Sequence, residues 1–167
     1  TYHITNYWYK KDNYKNYYVI IQYARMVYTK DIEEYKELID FSIRNNMDNS
    51  ILVIILRLCD IDNDTIEVFA NLDENIKYKL WEQGVSVGND IDIIPLLINE
   101  CITYGNIKSY IKLIYDIKEK IPVNQVFDYM LECLSKNIRK TNITDFDEYH
   151  IEELFEFLRN YAASDQV

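Results

Sequence analysis

The sequence predicts an all-α protein built as an array of helix-turn-helix repeats of about 31 residues. Apolar residues recur at helical spacings of three and four along nearly the whole chain. Helix-capping residues precede several of these stripes, and an asparagine-centred tripeptide returns at a fixed interval. Because one hairpin of this size cannot bury a core alone, neighbouring hairpins are expected to stack.

Capping residues mark the beginnings of two predicted helices. Asp31 is placed to cap an apolar stripe, with Glu34 at the glutamate position of a capping box. Asn106 is placed to cap another helix, and Gly105 before it is expected to be the C′ residue of the helix upstream. The run Ile51–Leu56 fits a buried strand or a helix, and its helical flanks favour a helix.

Two further helices are predicted near the end of the sequence. Their apolar stripes are Val126, Phe127, Met130, Leu131 and Leu134 for the first, and Ile151, Leu154, Phe155 and Leu158 for the second. An insertion is expected between them, around 140–147. The segment 85–90 is predicted to be a loop or a short extended finger, because it follows Gly84 and lacks a helical period.

The repeat rests on tripeptides that begin at Asn75, Asn106 and Asn137, each 31 residues after the one before. Asn13 lies two periods before Asn75, and the pair at 45–46 lies near the intervening position, shifted by one residue. Asparagine can end one helix and cap the next. Since Asn, Ile and Lys are abundant here, accidental matches are the alternative. The repeat predicts one domain, 1–167, with units at roughly 1–29, 30–60, 61–89, 90–121 and 122–161.

Charge limits the classes of partner. The chain has 18 Lys and Arg against 28 Asp and Glu, a net charge of −10. This sign argues against nucleic acid and against anionic lipid, and it favours a protein partner with a basic surface. The aliphatic run Ile51–Leu56 is far shorter than the roughly 20 residues of a membrane span. Three widely spaced cysteines favour a reducing compartment, the cytoplasm.

No motif points to a catalytic residue, a cofactor or a metal, so the sequence predicts a non-enzymatic protein. The run from Asp60 to Asp64 begins like a calcium loop, but Thr65 stands where glycine is needed, and helix capping by Asp62 or Asp64 explains it equally well. His150 is expected to be a surface residue near the start of a helix, with Glu153 on the same face.

Two segments resemble ankyrin repeats. The first is Ile94–Ile114, which has Gly105 and Asn106 at the turn, a small residue (Cys101) four positions before the glycine, and a pair of aliphatic residues at its end. The second is Ser42–Leu56, which resembles the degenerate, Asn-rich form of viral ankyrin repeats. The chain is in this respect similar to multigene-family proteins of African swine fever virus and to poxviral and giant-virus ankyrin-like proteins. The resemblance implies a solenoid that binds host proteins in the host cytoplasm and antagonises innate-immune signalling.

A second segment pair resembles Bcl-2-like proteins of poxviruses. Leu56-Arg57 followed by Asp60 is similar to a BH3 segment, and Leu80–Gly88 is similar to a BH1 segment. Asn89 stands where that family has an arginine that pairs with the bound helix. This resemblance implies a bundle around a central helix and inhibition of apoptosis through binding of BH3 helices.

In the solenoid interpretation, the partner lies in a groove lined by the first helices of successive repeats. The candidate contacts are the non-core residues of those helices and of the intervening loop: Asn89, Asp92, Asn99, Thr103 and Asp128. Trp8 and Trp81 are expected to be partly buried anchors between units.

Overall fold

The computed structural model describes residues 14–136, 138–141 and 145–164. Over these ranges the chain is mostly helical, with nine α-helices, one short 3₁₀ helix and two strands of two residues each. The all-α prediction is therefore confirmed. The chain divides into two compact units, Thr1–Leu80 and Trp81–Val167. The single repeat domain remains a prediction, and Asn13, Asn137 and Trp8 lie outside the described residues.

The first elements in chain order are α1 (Tyr14–Tyr28), α2 (Ile32–Arg44), α3 (Asn49–Leu56), β1 (Asp60–Ile61), α4 (Ile66–Ala70) and α5 (Glu74–Gln83). The next are β2 (Ser86–Val87), the 3₁₀ helix (Ile91–Ile93), α6 (Ile94–Tyr104), α7 (Ile107–Ile117), α8 (Val123–Ser135) and α9 (Asp145–Ser164). Ile51–Leu56 is thus helical, as the flanking pattern predicted, and the segment 85–90 contains the predicted short extended piece.

In the first unit, α1, α2 and α3 pack against one another. The Asp31 carboxylate accepts hydrogen bonds from the backbone N–H groups of Glu33 and Glu34, both at 3.1 Å, so the predicted cap is confirmed. The predicted capping box is wrong, because the Glu34 carboxylate instead accepts from the Tyr23 hydroxyl at 2.5 Å. Burial and this carboxylate raise the pKa of Tyr23 to about 12. Glu34 therefore joins α1 to α2.

The end of α2 is a Schellman motif. Asn46 has a φ of 52°, and its N–H donates to the Ile43 carbonyl at 3.0 Å, while the Met47 N–H donates to the Ser42 carbonyl at 2.9 Å. Asparagine tolerates this left-handed conformation better than most residues. The chain then reverses, and Met47 is buried.

The loop before α4 is held by Asp62. Its carboxylate accepts from the N–H groups of Asp64 at 3.1 Å and Thr65 at 3.0 Å, and the side chain of Thr65 is fully buried. These contacts close the loop ahead of the helix. The N-cap residue of α4 is Thr65, which makes no side-chain capping bond, so the prediction that Asp62 or Asp64 caps the helix is wrong.

The two described asparagines of the tripeptides hold different positions. Asn106 is the N-cap of α7, whereas Asn75 is the second residue of α5. The Asp73 carboxylate accepts from the Asn75 N–H at 2.8 Å, because a charged side chain just ahead of the helix binds its free N–H groups. The prediction that Asn75 caps a helix is therefore wrong.

In the second unit, α7 packs against α6, α8, α9 and β2. Six of its 11 residues are buried: Ser109, Tyr110, Ile111, Leu113, Ile114 and Ile117. The Lys120 ammonium donates to the carbonyls of Val87 and Gly88, both at 2.9 Å, and so fixes the chain after β2. The principal helix contacts within both units join helices that are adjacent or next but one along the chain.

Candidate protein-binding surface

A two-residue turn joins α6 to α7. The Asn106 side chain accepts from the N–H groups of Lys108 at 3.0 Å and Ser109 at 3.1 Å, which confirms the predicted cap. The Ser109 hydroxyl lies 2.6 Å from the Trp81 carbonyl and donates to it, and Trp81 is buried. The sequence predicts that Trp81 is partly buried, and in the structure it is almost fully buried.

Gly105 directly follows α6, but its φ of −84° is not left-handed, so the reason for a glycine differs from the predicted C′ role. A Cβ at this position would lie 2.6 Å from the Cys101 carbonyl oxygen and 2.9 Å from the Cys101 Sγ. The turn therefore needs a residue without a side chain because the end of α6 passes too close.

The five predicted contact residues are all exposed. Asn89 lies in the loop after β2, Asp92 in the 3₁₀ helix, Asn99 and Thr103 one turn apart on α6, and Asp128 on α8. The Thr103 hydroxyl donates to the Asn99 carbonyl at 2.8 Å. The helices α6 and α8 both pack against α7, so the candidate residues other than Asn89 and Asp92 lie on the two helices that flank it. Their role in binding remains a prediction.

Large apolar side chains lie beside these polar residues. Leu96 on α6 is 44% exposed, and Phe127 and Leu131 on α8 are 51% and 47% exposed. Phe127 and Leu131 lie four residues apart on one face of α8, and we call these two the apolar patch. The sequence placed Phe127 and Leu131 in the same stripe as Val126, which is fully buried. The sequence signal for this exposure is the presence of two adjacent apolar residues in each turn of α8. The stripe is then wider than the surface that α7 and α9 cover.

A polar cluster joins α7 to α9. The Lys108 ammonium lies 3.1 Å from the Asp147 carboxylate, whose side chain is only 9% exposed. His150 is buried, with its ring centroid 4.5 Å from that of Tyr115, so the prediction of a surface histidine is wrong. The Lys118 ammonium lies 3.7 Å from the centroid of the same Tyr115 ring. The sequence could not show this burial, because a polar helix start gives no sign of which neighbour covers it.

Burial, followed by the charge of Lys112, lowers the pKa of His150 from 6.5, with Lys118 acting in the same direction and Asp116 and Asp147 opposing it. His150 therefore takes up a proton at higher pH in the unfolded chain than in the folded chain. We expect the free energy of unfolding to be unaffected by His150 well above about pH 6.5 and to decrease as the pH falls below about 6.5. The loss should approach about 1.4 kcal/mol per pH unit at most.

Urea denaturation of the wild type and of His150→Gln at pH 7.5, 6.5 and 5.5 measures this effect. The wild type should lose more stability than the variant between pH 6.5 and 5.5, and parallel curves would contradict the prediction. Carboxylates titrate mostly below this interval, so both proteins share their contribution.

The cysteine side chains are protonated at neutral pH. Burial raises the pKa of Cys59 to about 12 and raises the pKa values of Cys101 and Cys133 as well. The Tyr35 hydroxyl and the Cys59 Sγ lie 3.1 Å apart in the core of the first unit. Since the thiolate is the reactive form of cysteine, these environments favour packing over nucleophilic chemistry.

No protein-family model matches the chain, and neither a curated protein nor a solved structure is significantly similar to it. The ankyrin-like and Bcl-2-like resemblances therefore remain predictions. Among the helices in the described ranges, none combines the length and apolar composition that crossing a bilayer requires.

Proposed function

We propose that the chain is a non-enzymatic protein–protein interaction module that binds its partner through the exposed faces of α6 and α8. The observation that carries this proposal is the apolar patch, which lies next to Asp128 on α8, together with the exposed Leu96, Asn99 and Thr103 on α6. Exposed apolar side chains bordered by polar ones are typical of a binding surface.

The repeat array that the sequence predicts would suit this function. Each of the ranges 30–60, 61–89, 90–121 and 122–161 contains two α-helices, and short turns connect α2 to α3 and α6 to α7. The principal contacts of the described helices join near neighbours along the chain, as they do in stacked hairpins. By the viral ankyrin resemblance, the partner is a host protein of innate-immune signalling in the host cytoplasm.

The alternative is a Bcl-2-like inhibitor of apoptosis that binds BH3 helices. It is favoured by the position of α7, which packs against three helices and has six buried residues. Asn89 counts against it, because it cannot form the ion pair that the family's arginine makes. Calorimetric titration with BH3 peptides distinguishes the two, and binding at micromolar concentrations would favour the alternative.

Surface substitution tests the interaction module. We expect Phe127→Ser with Leu131→Ser to abolish capture of a specific host-cytosol protein while leaving the circular dichroism spectrum unchanged. The matched control is Val19→Ser with Met26→Ser, since these side chains on α1 are 43% and 44% exposed. Loss of the same protein from both variants, or from neither, would contradict a binding role for the apolar patch.

A further inference from the structure

We propose that the stripe of α9 from Ile151 to Ala162 docks a basic amphipathic helix of another protein. This inference concerns a different surface from the apolar patch, and it stands or falls independently of the function proposed above. Three observations carry it: the burial of α9 along its length, the spacing of its apolar residues, and the charges at its edge.

The burial of α9 changes abruptly along the helix. In its first half, Asp147, His150 and Leu154 are buried. From Phe155 to Ala162 no residue is buried, although this stretch carries four large apolar or aromatic side chains. Phe155 is 60% exposed and Tyr161 45% exposed, and Phe157 and Leu158 are half-buried.

Two of these side chains, Phe155 and Leu158, share one side of the helix with Ile151 and Ala162. At about 3.6 residues per turn, Ile151, Phe155, Leu158 and Ala162 fall on one stripe, next to the side on which Leu154 is buried. The stripe runs for about 16 Å, or three helical turns. That length fits a second helix laid along α9, in which apolar residues at i, i+3, i+4 and i+7 make the contact.

The charges beside the stripe define the partner's chemistry. Glu148 and Glu152, in the first half of α9, are exposed along the edge of the N-terminal end of the stripe, and within the described residues neither forms an ion pair. The stripe continues into the second half of the helix. The one basic residue of this half, Arg159, is 3.3 Å from the Glu156 carboxylate. A second copy of this chain, with its net charge of −10, would bring like charges together, whereas lysines or arginines flanking an apolar stripe would pair with these carboxylates.

A synthetic peptide tests the inference directly. The probe is a fluorescein-labelled helix of about 16 residues, with leucines at the four contact spacings and lysines elsewhere, titrated with the full chain by fluorescence anisotropy. Two control peptides have the same composition in scrambled order, or glutamates in place of the lysines. We expect a micromolar dissociation constant for the probe, weakening as salt rises, and at least tenfold weaker binding of both controls. Equal binding of the scrambled peptide would overturn the proposal.

Variants assign the binding to α9. Phe155→Ser should weaken binding by about tenfold or more, and Glu148→Gln with Glu152→Gln should reduce the salt dependence. Tyr18→Ser on α1, where the side chain is 66% exposed, is the matched control and should bind as the wild type does. Phe127→Ser with Leu131→Ser should also bind normally, which separates this surface from the apolar patch.

Two results would overturn the assignment. The first is unchanged binding by Phe155→Ser, which would place the peptide elsewhere on the acidic surface. The second is a concentration-dependent dimer in sedimentation equilibrium that Phe155→Ser abolishes, which would assign the stripe to a second copy of the chain.

Discussion

Replacement of Gly105 by alanine is expected to destabilise the protein by about 3 kcal/mol, the upper end of the cost of overpacking. The added Cβ would lie 2.6 Å from the Cys101 carbonyl oxygen, a backbone atom that cannot rotate away. The same oxygen accepts the Gly105 N–H at 2.9 Å, so relief of the overlap weakens this hydrogen bond and opens the α6–α7 turn. Urea denaturation followed by circular dichroism measures the change.

Gly84→Ala is the matched control for Gly105→Ala. A Cβ at Gly84 would meet only the Lys112 Cδ at 3.9 Å, an ordinary contact. Because Gly84 has a φ of 84°, we expect the alanine substitution to cost about 1 kcal/mol of stability through the backbone conformation alone. Adding Cys101→Ala to Gly105→Ala removes the sulfur contact but not the carbonyl contact, so the rescue should be partial. A loss at Gly105 no larger than that at Gly84 would contradict the steric explanation.

Tyr110→Ala is expected to cost about 3–5 kcal/mol, the range found for large aromatic residues removed from a core. Tyr110 is fully buried in α7, and its hydroxyl donates to the Tyr129 carbonyl of α8 at 3.1 Å. The substitution leaves a cavity where α7 meets its neighbours. Equilibrium unfolding in guanidinium chloride measures the loss.

Two further variants separate the contributions of Tyr110. Tyr110→Phe keeps the ring and removes one hydrogen bond, so it should cost about 1 kcal/mol. Tyr18→Ala makes the same truncation at a side chain that is 66% exposed, and should change stability by less than about 0.5 kcal/mol. If Tyr110→Ala cost no more than Tyr110→Phe, α7 would not be the centre of the second unit.

The sequence predicted local structure well because local structure depends on neighbours along the chain. The caps at Asp31 and Asn106 and the helix at Ile51–Leu56 are all where the spacing and capping rules put them. The prediction for Asn75 is wrong for an equally local reason, because the Asp73 carboxylate accepts the hydrogen bond from the Asn75 N–H at the start of α5. A carboxylate two residues upstream therefore determines the hydrogen bonding at the start of the helix, and the repeated tripeptide does not.

The faces of the helices were harder to predict. Periodicity marks an apolar stripe but not how much of it a neighbour covers, so Phe127 and Phe155 were grouped with core residues although both are more than half exposed. His150 shows the reverse error, because Tyr115 on another helix supplies the cover. The five candidate contacts were correctly placed at the surface, but the apolar side chains beside Asn99 and Asp128 were missed.

The short-range pairing of helices has a kinetic consequence. Because the main contacts link each helix to the next one or two along the chain, little loop-closure entropy must be lost before a core begins to form. Low contact order of this kind is associated with folding in microseconds to milliseconds. Each unit can therefore acquire its core soon after its own helices are synthesised, which shortens the time during which its many isoleucines are open to aggregation.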